Sequence, residues 1–382
     1  MSNTFKLLRS LLLIALLLAI ASPGAFAAGF HTVHVSTPGT LEDVVYALDE
    51  YELEGLKITG TLNSADLKTL RSQAGIFVKI PTLDISEITL QYDGEMYATS
   101  GDVGGDNAYG SAEYYLSDEE RYEDSWATGA LGTMSRTWRY YSRNLAGLFA
   151  SVKAYDKIIL PPLEELGPGA FRGCEVKEVV LPTGLKTIGM KSFWYCKSLT
   201  NLNLPATVDS IGEMAFKYSS ITNLETNAKI KRIGEQAFYE CKITTFDFSG
   251  IESLGEDCFF NCALTGMLDL SNAKCAEIPR YAFYGCHISG IRFSNNISRI
   301  CENAFEGCSE LTNVNLPSTL ERIGSEAFNR TPFENTLNAE NNVIYLGKTA
   351  YKIALPSGAT SLTVKEGTKY LNNSWNRIRA AA

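Results

Sequence analysis

Ile211-Gly-Glu-Met-Ala-Phe216 is answered by Ile233-Gly-Glu-Gln-Ala-Phe238-Tyr-Glu-Cys241, and the same phrase runs through most of the chain. Its phenylalanine stands at Phe171, Phe193, Phe216, Phe238, Phe259, Phe283, Phe305 and Phe328, an average step of about 22 residues. The residue before it is always small, and five before it stands an aliphatic in every unit, from Leu166 to Ile323. Four before it is glycine in six of eight units, with Pro279 and Cys301 as exceptions. Three after it is cysteine in six of eight, with Ser219 and Thr331 as exceptions. A fixed period of this length is the signature of a stacked repeat.

Between the phenylalanines, Leu199-Thr-Asn-Leu202-Asn-Leu204-Pro205 and Leu311-Thr-Asn-Val314-Asn-Leu316-Pro317 alternate apolar and polar residues. That is the period of a half-buried strand, and proline ends it because it cannot donate to a ladder. Each unit therefore reads as one coil: a short strand, a turn, an aliphatic–glycine bend, then Ala-Phe and Cys pointing inward. The glycine is expected where the chain turns through a conformation costly for residues with a Cβ. One coil cannot bury its own Leu, Ile and Phe, so coils stack and a parallel sheet forms on one face. The fold class is an α/β-type leucine-rich-repeat solenoid of short parallel strands and turns, right-handed, with an N-terminal cap containing a helix.

Working outward, Phe149-Ala-Ser-Val152 through Leu160-Pro161 keeps the spacings with Val in the cysteine place. Leu56-Lys-Ile58 and Leu83-Asp-Ile85 look like two earlier strands, and Ser64 to Ala74 like a helix between them, capped by Asn63 or Ser64. Residues 87 to 143, rich in Tyr, Gly, Asp and Ser, read as an insertion of hairpins or long loops. Asn341 to Leu355 reads as a β-hairpin around Gly347-Lys348, and the repeat restarts at Leu362-Thr-Val364. The chain stops at Ala382 within that coil, as a degenerate cap or a longer natural chain would give. The boundaries expected are 1–27 signal peptide, 28–144 capping region with the insertion, 145–331 solenoid, 332–357 hairpin interruption and 358–382 partial repeat.

Lys6 and Arg9, the apolar run Leu11 to Ala21 and Ala25-Phe26-Ala27 form a charged region, a short apolar region and a small-residue cleavage site. The run is shorter than the ~20 residues of a membrane span, so cleavage after Ala27 and a secreted or cell-surface location follow, with no membrane insertion of the mature chain. Cleavage removes two positive charges and no negative ones, taking the formal net charge from −9 to −11. An acidic chain is a poor nucleic-acid ligand, since phosphate contact needs excess Lys and Arg.

The unit Leu-x-x-Ile-Gly-x-x-Ala-Phe-x-x-Cys, with strands ending in Leu-Pro, resembles the BspA-type leucine-rich repeats of bacterial surface proteins over residues 145 to 331. Thr331-Pro-Phe-Glu-Asn followed by Val343-Ile-Tyr-Leu-Gly-Lys-Thr-Ala-Tyr is similar to a hairpin interruption common in that family. Val35-Ser-Thr-Pro-Gly-Thr-Leu41 and Leu56-Lys-Ile-Thr-Gly-Thr-Leu-Asn63 look like the leader that many gut and oral members carry. The resemblance implies an adhesin-like binding role, with extracellular-matrix proteins or other bacterial surfaces as partners.

Three histidines, His31, His34 and His287, leave little for metal or acid–base chemistry. No Ser–His–Asp set, phosphate loop or zinc-protease helix appears, so no catalytic residues, metal or cofactor are assigned. Asp102-Val-Gly-Gly-Asp106 through Glu113 has a calcium loop's first, fifth and twelfth ligands. Gly104 and Asn107 break that pattern, leaving a solvated loop as the better reading. The nine cysteines all fall in repeat slots, so they read as packed thiols. The alternative is bridges between coils about 5 Å apart, strained by parallel Cβ directions.

The candidate binding residues come from the strand's outward slot: Val180, Asn203, Glu225, Asp247, Asp269, Arg292 and Asn315. Glu225, Asp247 and Asp269 are expected as successive carboxylates about 5 Å apart. They read either as a solvated row or as the contact for a basic partner or cation. The alternative ligand is a glycan, stacking on Trp126, Trp138 and the tyrosines of the insertion, which could equally be the insertion's own small core.

Overall fold

A computed structural model describes residues 29–46, 48, 53–72, 80–101, 110–116, 121–128, 134–226, 228–354 and 361–372. The expected signal peptide, residues 1–27, and Asp102 to Tyr109 of the calcium-like loop lie outside them. Two compact units emerge: Met1–Leu185 with Cys196–Leu199, and Lys186–Tyr195 with Thr200–Ala382. Both are stacks of leucine-rich-repeat coils.

In the first unit, β1 (Gly29–Val35), β2 (Leu53–Leu62) and β3 (Ile80–Leu90) precede an inserted sheet of β4 (Met96–Gly101), β5 (Gly110–Leu116), β6 (Arg121–Thr128) and β7 (Met134–Ser142). The coils resume with β8 (Tyr155–Ile159), β9 (Glu165–Leu166) and β10 (Glu178–Val180). One ladder runs β1-β2-β3-β8-β10, parallel throughout. Leu56 pairs with Leu83 and Leu83 with Ile158, so the strands expected upstream do extend the stack. The inserted sheet runs β4-β5-β7-β6, with a parallel pair at its centre.

The expected helix spans Ser64–Ser72. Asn63 Oδ1 accepts the N–H of Ala65 at 3.0 Å, and Asp66 Oδ2 accepts the N–H of Asn63 at 3.0 Å, a reciprocal cap. Asp66 is buried because it also takes the N–H groups of Gly39 and Leu41.

The second unit has three sides. Its long strands are β12 (Asn201–Leu204), β14 (Asn223–Thr226), β17 (Thr265–Leu270), β19 (His287–Phe293) and β21 (Asn313–Asn315). The second side is a ladder the sequence did not announce. There the aliphatic slot and the residue before it pair as β11 (Thr187–Ile188), β13 (Ser210–Ile211), β15 (Arg232–Ile233) and β16 (Ser253–Leu254). After a break it continues as β18 (Glu277–Ile278), β20 (Arg299–Ile300) and β22 (Arg322–Ile323).

The third side is a ridge of overlapping turns around each repeat phenylalanine, and alternate N–H groups there bond in two directions. Met214, Phe216 and Tyr218 donate to Glu235, Ala237 and Tyr239 of the next coil at 2.7–2.9 Å. Ala215, Lys217 and Ser219 donate three residues back within their own coil. The alternation needs a left-handed residue two before and two after each phenylalanine. Lys191, Tyr195, Met214, Tyr218, Gln236, Glu240, Asp257 and Asn261 all sit at φ between 47° and 60°.

This corrects the reading of the repeat glycine. Gly212, Gly234, Gly255 and Gly324 have no left-handed φ. A Cβ on Gly255 would stand 2.3 Å from Glu235 N and 2.5 Å from Gly234 C. The glycine is there because the neighbouring backbone comes too close for a side chain.

Inside, the phenylalanines form columns. Phe149 and Phe171 stack at 5.1 Å in the first unit. In the second, Phe193, Phe216, Phe238, Phe259, Phe283, Phe305 and Phe328 stack at 4.9–5.5 Å with rings within 11° of parallel. All are fully buried.

The turn ridge of each unit has a side-chain cap. The first coil's carbonyls at Ala146, Leu148 and Ala150 are taken by the Tyr97 hydroxyl and by Arg71 Nη1. In the second unit Phe328 donates its N–H to the Tyr351 hydroxyl at 2.9 Å, and that hydroxyl donates to Glu334 at 2.9 Å. Tyr351 comes from the expected hairpin, β23 (Val343–Leu346) and β24 (Thr349–Ile353), turning at Gly347. Thr331 replaces the repeat cysteine because it caps the short helix Pro332–Asn335. Leu362 to Val364 forms no strand, and β25 (Tyr370–Leu371) pairs with β24 instead.

Candidate functional site

Every residue of the outward strand slot is exposed, from Val180 through Asn203, Glu225, Asp247, Asp269 and Arg292 to Asn315. Asn203 stands beside Glu225, and Asp269 beside Arg292, which stands beside Asn315. The carboxylates do not form one ladder. Residues 241–248 carry no strand, and Asp247 lies in that gap. In that coil Phe246 and Phe248 replace the leucines of other strands and pack edge-on against Phe259 at 5.4 and 5.3 Å.

Asp247 and Asp269 also have work within their own coils. Asp247 accepts from the N–H and hydroxyl of Ser249 at 2.9 and 3.1 Å, and Asp269 accepts from the N–H of Ser271 at 3.0 Å. Ser249 and Ser271 stand where Pro182, Pro205 and Pro317, which have no N–H, stand in other coils, and the Asp two residues earlier satisfies the serine N–H. The Asp-x-Ser spacing was the readable signal for this. Ser271, and then Arg292 with its guanidinium 3.6 Å away, hold the Asp269 carboxyl below the usual carboxylate range. Asp247 and Asp269 are thus each paired locally and do not face one another across a ladder.

A second feature, half-buried and missed by the strand-based reading, lies on the turn ridge. The residue after the column phenylalanine is Tyr239, Phe260 and Tyr284 in three successive coils, and their rings stack at 4.6 Å and 3°. Tyr218 and Tyr281 meet this stack edge-on. Lys217 Nζ stands 4.4 Å from the centre of the Tyr239 ring, and Arg280 stands 4.9 Å from that of Tyr281. Alongside, three before the column phenylalanine, are Glu213, Glu235 and Glu256. Burial, and then Glu213, Glu256 and Asp257, push the Glu235 carboxyl up. The signal was in the sequence as an aromatic directly after the column phenylalanine in three consecutive repeats.

The repeat geometry has its counterpart in known sequences. The model of the BspA type leucine rich repeat region matches in six copies over residues 146–265 and 269–374, more than half of the chain. The chain belongs to that family.

Among solved structures, the BspA-type chain is similar to the pneumococcal vaccine antigen PcpA, with 13% identity, TM-score 0.37, and coverage of 64% of this chain and 81% of that one. A leucine-rich repeat protein from Eubacterium ventriosum gives 16%, 0.36, 84% and 93% on the same measures. A leucine rich cell surface protein from Faecalibacterium prausnitzii gives 16%, 0.31, 82% and 84%. The family assignment stands on the repeat match and not on these structures. No curated protein matches the chain.

None of the nine cysteines of this BspA-type chain is in a disulfide, and all but Cys301 are buried. Cys196 Sγ bonds to Phe171 O at 2.9 Å, and Cys286 Sγ to Phe259 O at 3.1 Å. Burial pushes the Cys174 and Cys308 thiols up to about 12.

Of the insertion's tyrosines, Tyr97 and Tyr114 are buried in the first unit, Tyr114 so close that a Cβ on Gly147 would meet its ring at 2.3 Å. These two are structural. Trp126 and Trp138 lie on the paired strands β6 and β7, with side chains outside the described set. Among the described residues no group of three or more His, Cys, Asp or Glu could hold a metal ion. No described helix is long and apolar enough to cross a membrane.

Proposed function

We propose that this chain is an exported, adhesin-like binding protein. In this reading it holds a protein partner, from host extracellular matrix or from another bacterial surface, and carries out no catalysis. One observation carries the reading. The coil interior is filled by the stacked phenylalanines, while paired strands hold Asn203, Glu225, Asp269, Arg292 and Asn315 outward, with Asp247 exposed in the gap between them. Rigid elements presenting exposed polar side chains suit recognition of another surface. The signal-like N-terminus and the family membership support export and a place at the cell surface.

The test is binding of the mature chain to immobilised matrix proteins and bacterial surface proteins. A Glu225→Gln, Asp247→Asn, Asp269→Asn variant is measured beside it. Saturable binding that the triple variant weakens is expected. Absence of saturable binding to either panel would overturn the reading.

A second reading, carbohydrate binding at the insertion, is favoured by one feature. A groove of about 400 Å³ is lined by Tyr92, Arg143, Asn144, Pro162, Leu163, Glu164 and Glu165. An exposed aromatic ring beside planar polar groups suits a sugar, and a glycan array discriminates the two readings.

A further inference from the structure

The aromatic ridge is not a demand of the repeat. The slot after the column phenylalanine holds Tyr239, Phe260 and Tyr284 in three successive coils, yet Arg172, Trp194, Lys217, Glu306 and Asn329 in the others. The slot three before the phenylalanine holds Glu213, Glu235 and Glu256 in three successive coils, then Arg280 and Glu302, but Pro168, Met190 and Ser325 elsewhere. In the coils of Phe238 and Phe259 a half-buried aromatic and an exposed carboxylate therefore occur together, with Glu213 one coil before them and Tyr284 one coil after, although either slot tolerates something else.

The rings of Tyr239, Phe260 and Tyr284 lie face to face at 4.6 Å, so Phe260 has both faces covered by its neighbours. That disfavours a sugar, which stacks on ring faces. What the row offers is a line of ring edges, an apolar strip bordered by exposed carboxylates. The ridge already holds cations over ring faces outside this stack's interior, Lys217 over Tyr239 and Arg280 over Tyr281.

We infer that this ridge is a docking surface for an extended basic segment of a partner protein. The partner's apolar side chains lie along the edges of Tyr239, Phe260 and Tyr284, and its Arg or Lys side chains reach Glu213, Glu235 and Glu256. Charge complementarity selects the occupant, since an acidic segment would be repelled by the same row. The inference rests on the binding-protein reading and adds to the strand face a second contact on the ridge.

The test uses the mature full-length chain and three labelled twelve-residue peptides read by fluorescence anisotropy: alternating Arg-Leu, alternating Arg-Ser and alternating Glu-Leu. The Arg-Leu peptide should bind most tightly, Arg-Ser about tenfold more weakly, and Glu-Leu not measurably. Tyr239→Asn with Phe260→Asn, residues of a kind the slot accepts at Asn329, should lower Arg-Leu affinity about tenfold. The variant Glu213→Gln, Glu235→Gln, Glu256→Gln should do the same and flatten the salt dependence, with circular dichroism unchanged in both. The strand-face triple variant should bind the peptide as wild type does. Equal binding of Arg-Leu and Arg-Ser, or ridge variants that bind like wild type, would overturn the inference. If the matrix and surface panels still show saturable binding, the broader reading survives that failure.

Discussion

Two glycine-related positions in each coil do opposite jobs, and substitution separates them. Gly255 is held by contact, so Gly255→Ala must push the Glu235 backbone away and should cost about 1–3 kcal/mol, as overpacking does. Glu240 is held by conformation, at φ 49°, in the slot that Gly285 and Gly307 fill at φ 67° and 74°. A non-glycine residue there costs about 1–2 kcal/mol, partly offset by glycine's greater unfolded-state freedom. Glu240→Gly should therefore raise stability by about 0.5–1 kcal/mol. Chemical denaturation of both variants checks the pair, and equal signs would refute the assignment. The buried thiols add a pH dependence. Their folded pKa values are raised, so their contribution is fully present below an unfolded thiol's pKa of about 8.5. It is lost as the pH rises toward the folded value, about 12 for Cys174 and Cys308. Midpoints of unfolding should fall steadily above pH 9 in reducing buffer, and fall less in a Cys308→Ala variant.

At the scale of elements, the column and its caps carry the stack. Phe238 lies between Phe216 and Phe259 at 5.1 and 4.9 Å, and Phe238→Ala should cost about 3–5 kcal/mol. Because the break falls mid-array, calorimetry should also show the second unit's transition broaden, since coil stability depends on nearest neighbours. An unchanged transition would mean the column does not hold the coils. The caps predict a different signature. Asp66 accepts three backbone N–H groups while buried, and Asp66→Ala leaves them without acceptors at about 1–3 kcal/mol each. Hydrogen exchange in that variant should quicken over the first unit and leave the second unit unchanged. Quickening confined to the second unit would contradict the cap's place in the fold.

For the whole molecule, the thiol content distinguishes this stack from a disulfide-stapled one. Alkylation of the native chain at pH 8 should label Cys301 first, as the least buried thiol. Denaturation under alkylating conditions should then release the rest of the nine. Four bridges would overturn the packing. How much of this was legible follows from the range of each interaction. The repeat, the inward Phe and Cys, the strand alternation, the helix after Asn63 and the hairpin at Gly347 are short-range patterns that the sequence displays within a few residues. The second ladder was hidden because each coil contributes only two residues to it, too few for any alternation to register.

What the sequence alone determined is the coil. A spacing of about 22 residues with apolar positions in fixed slots leaves stacking as the way to bury Leu, Ile and Phe. What only the tertiary structure decided is what lies between coils. Gly255 is required by a backbone one coil away, the first coil's carbonyls are satisfied by Tyr97 and Arg71, and Asp269 meets Arg292 across the ladder. Those partners are set by three-dimensional register, and a one-dimensional pattern carries only the residue type at each slot. The surface follows the same rule: the row of outward acids could be read from the strand, but its pairing, and the aromatic ridge around the corner from it, exist only once the coils are stacked.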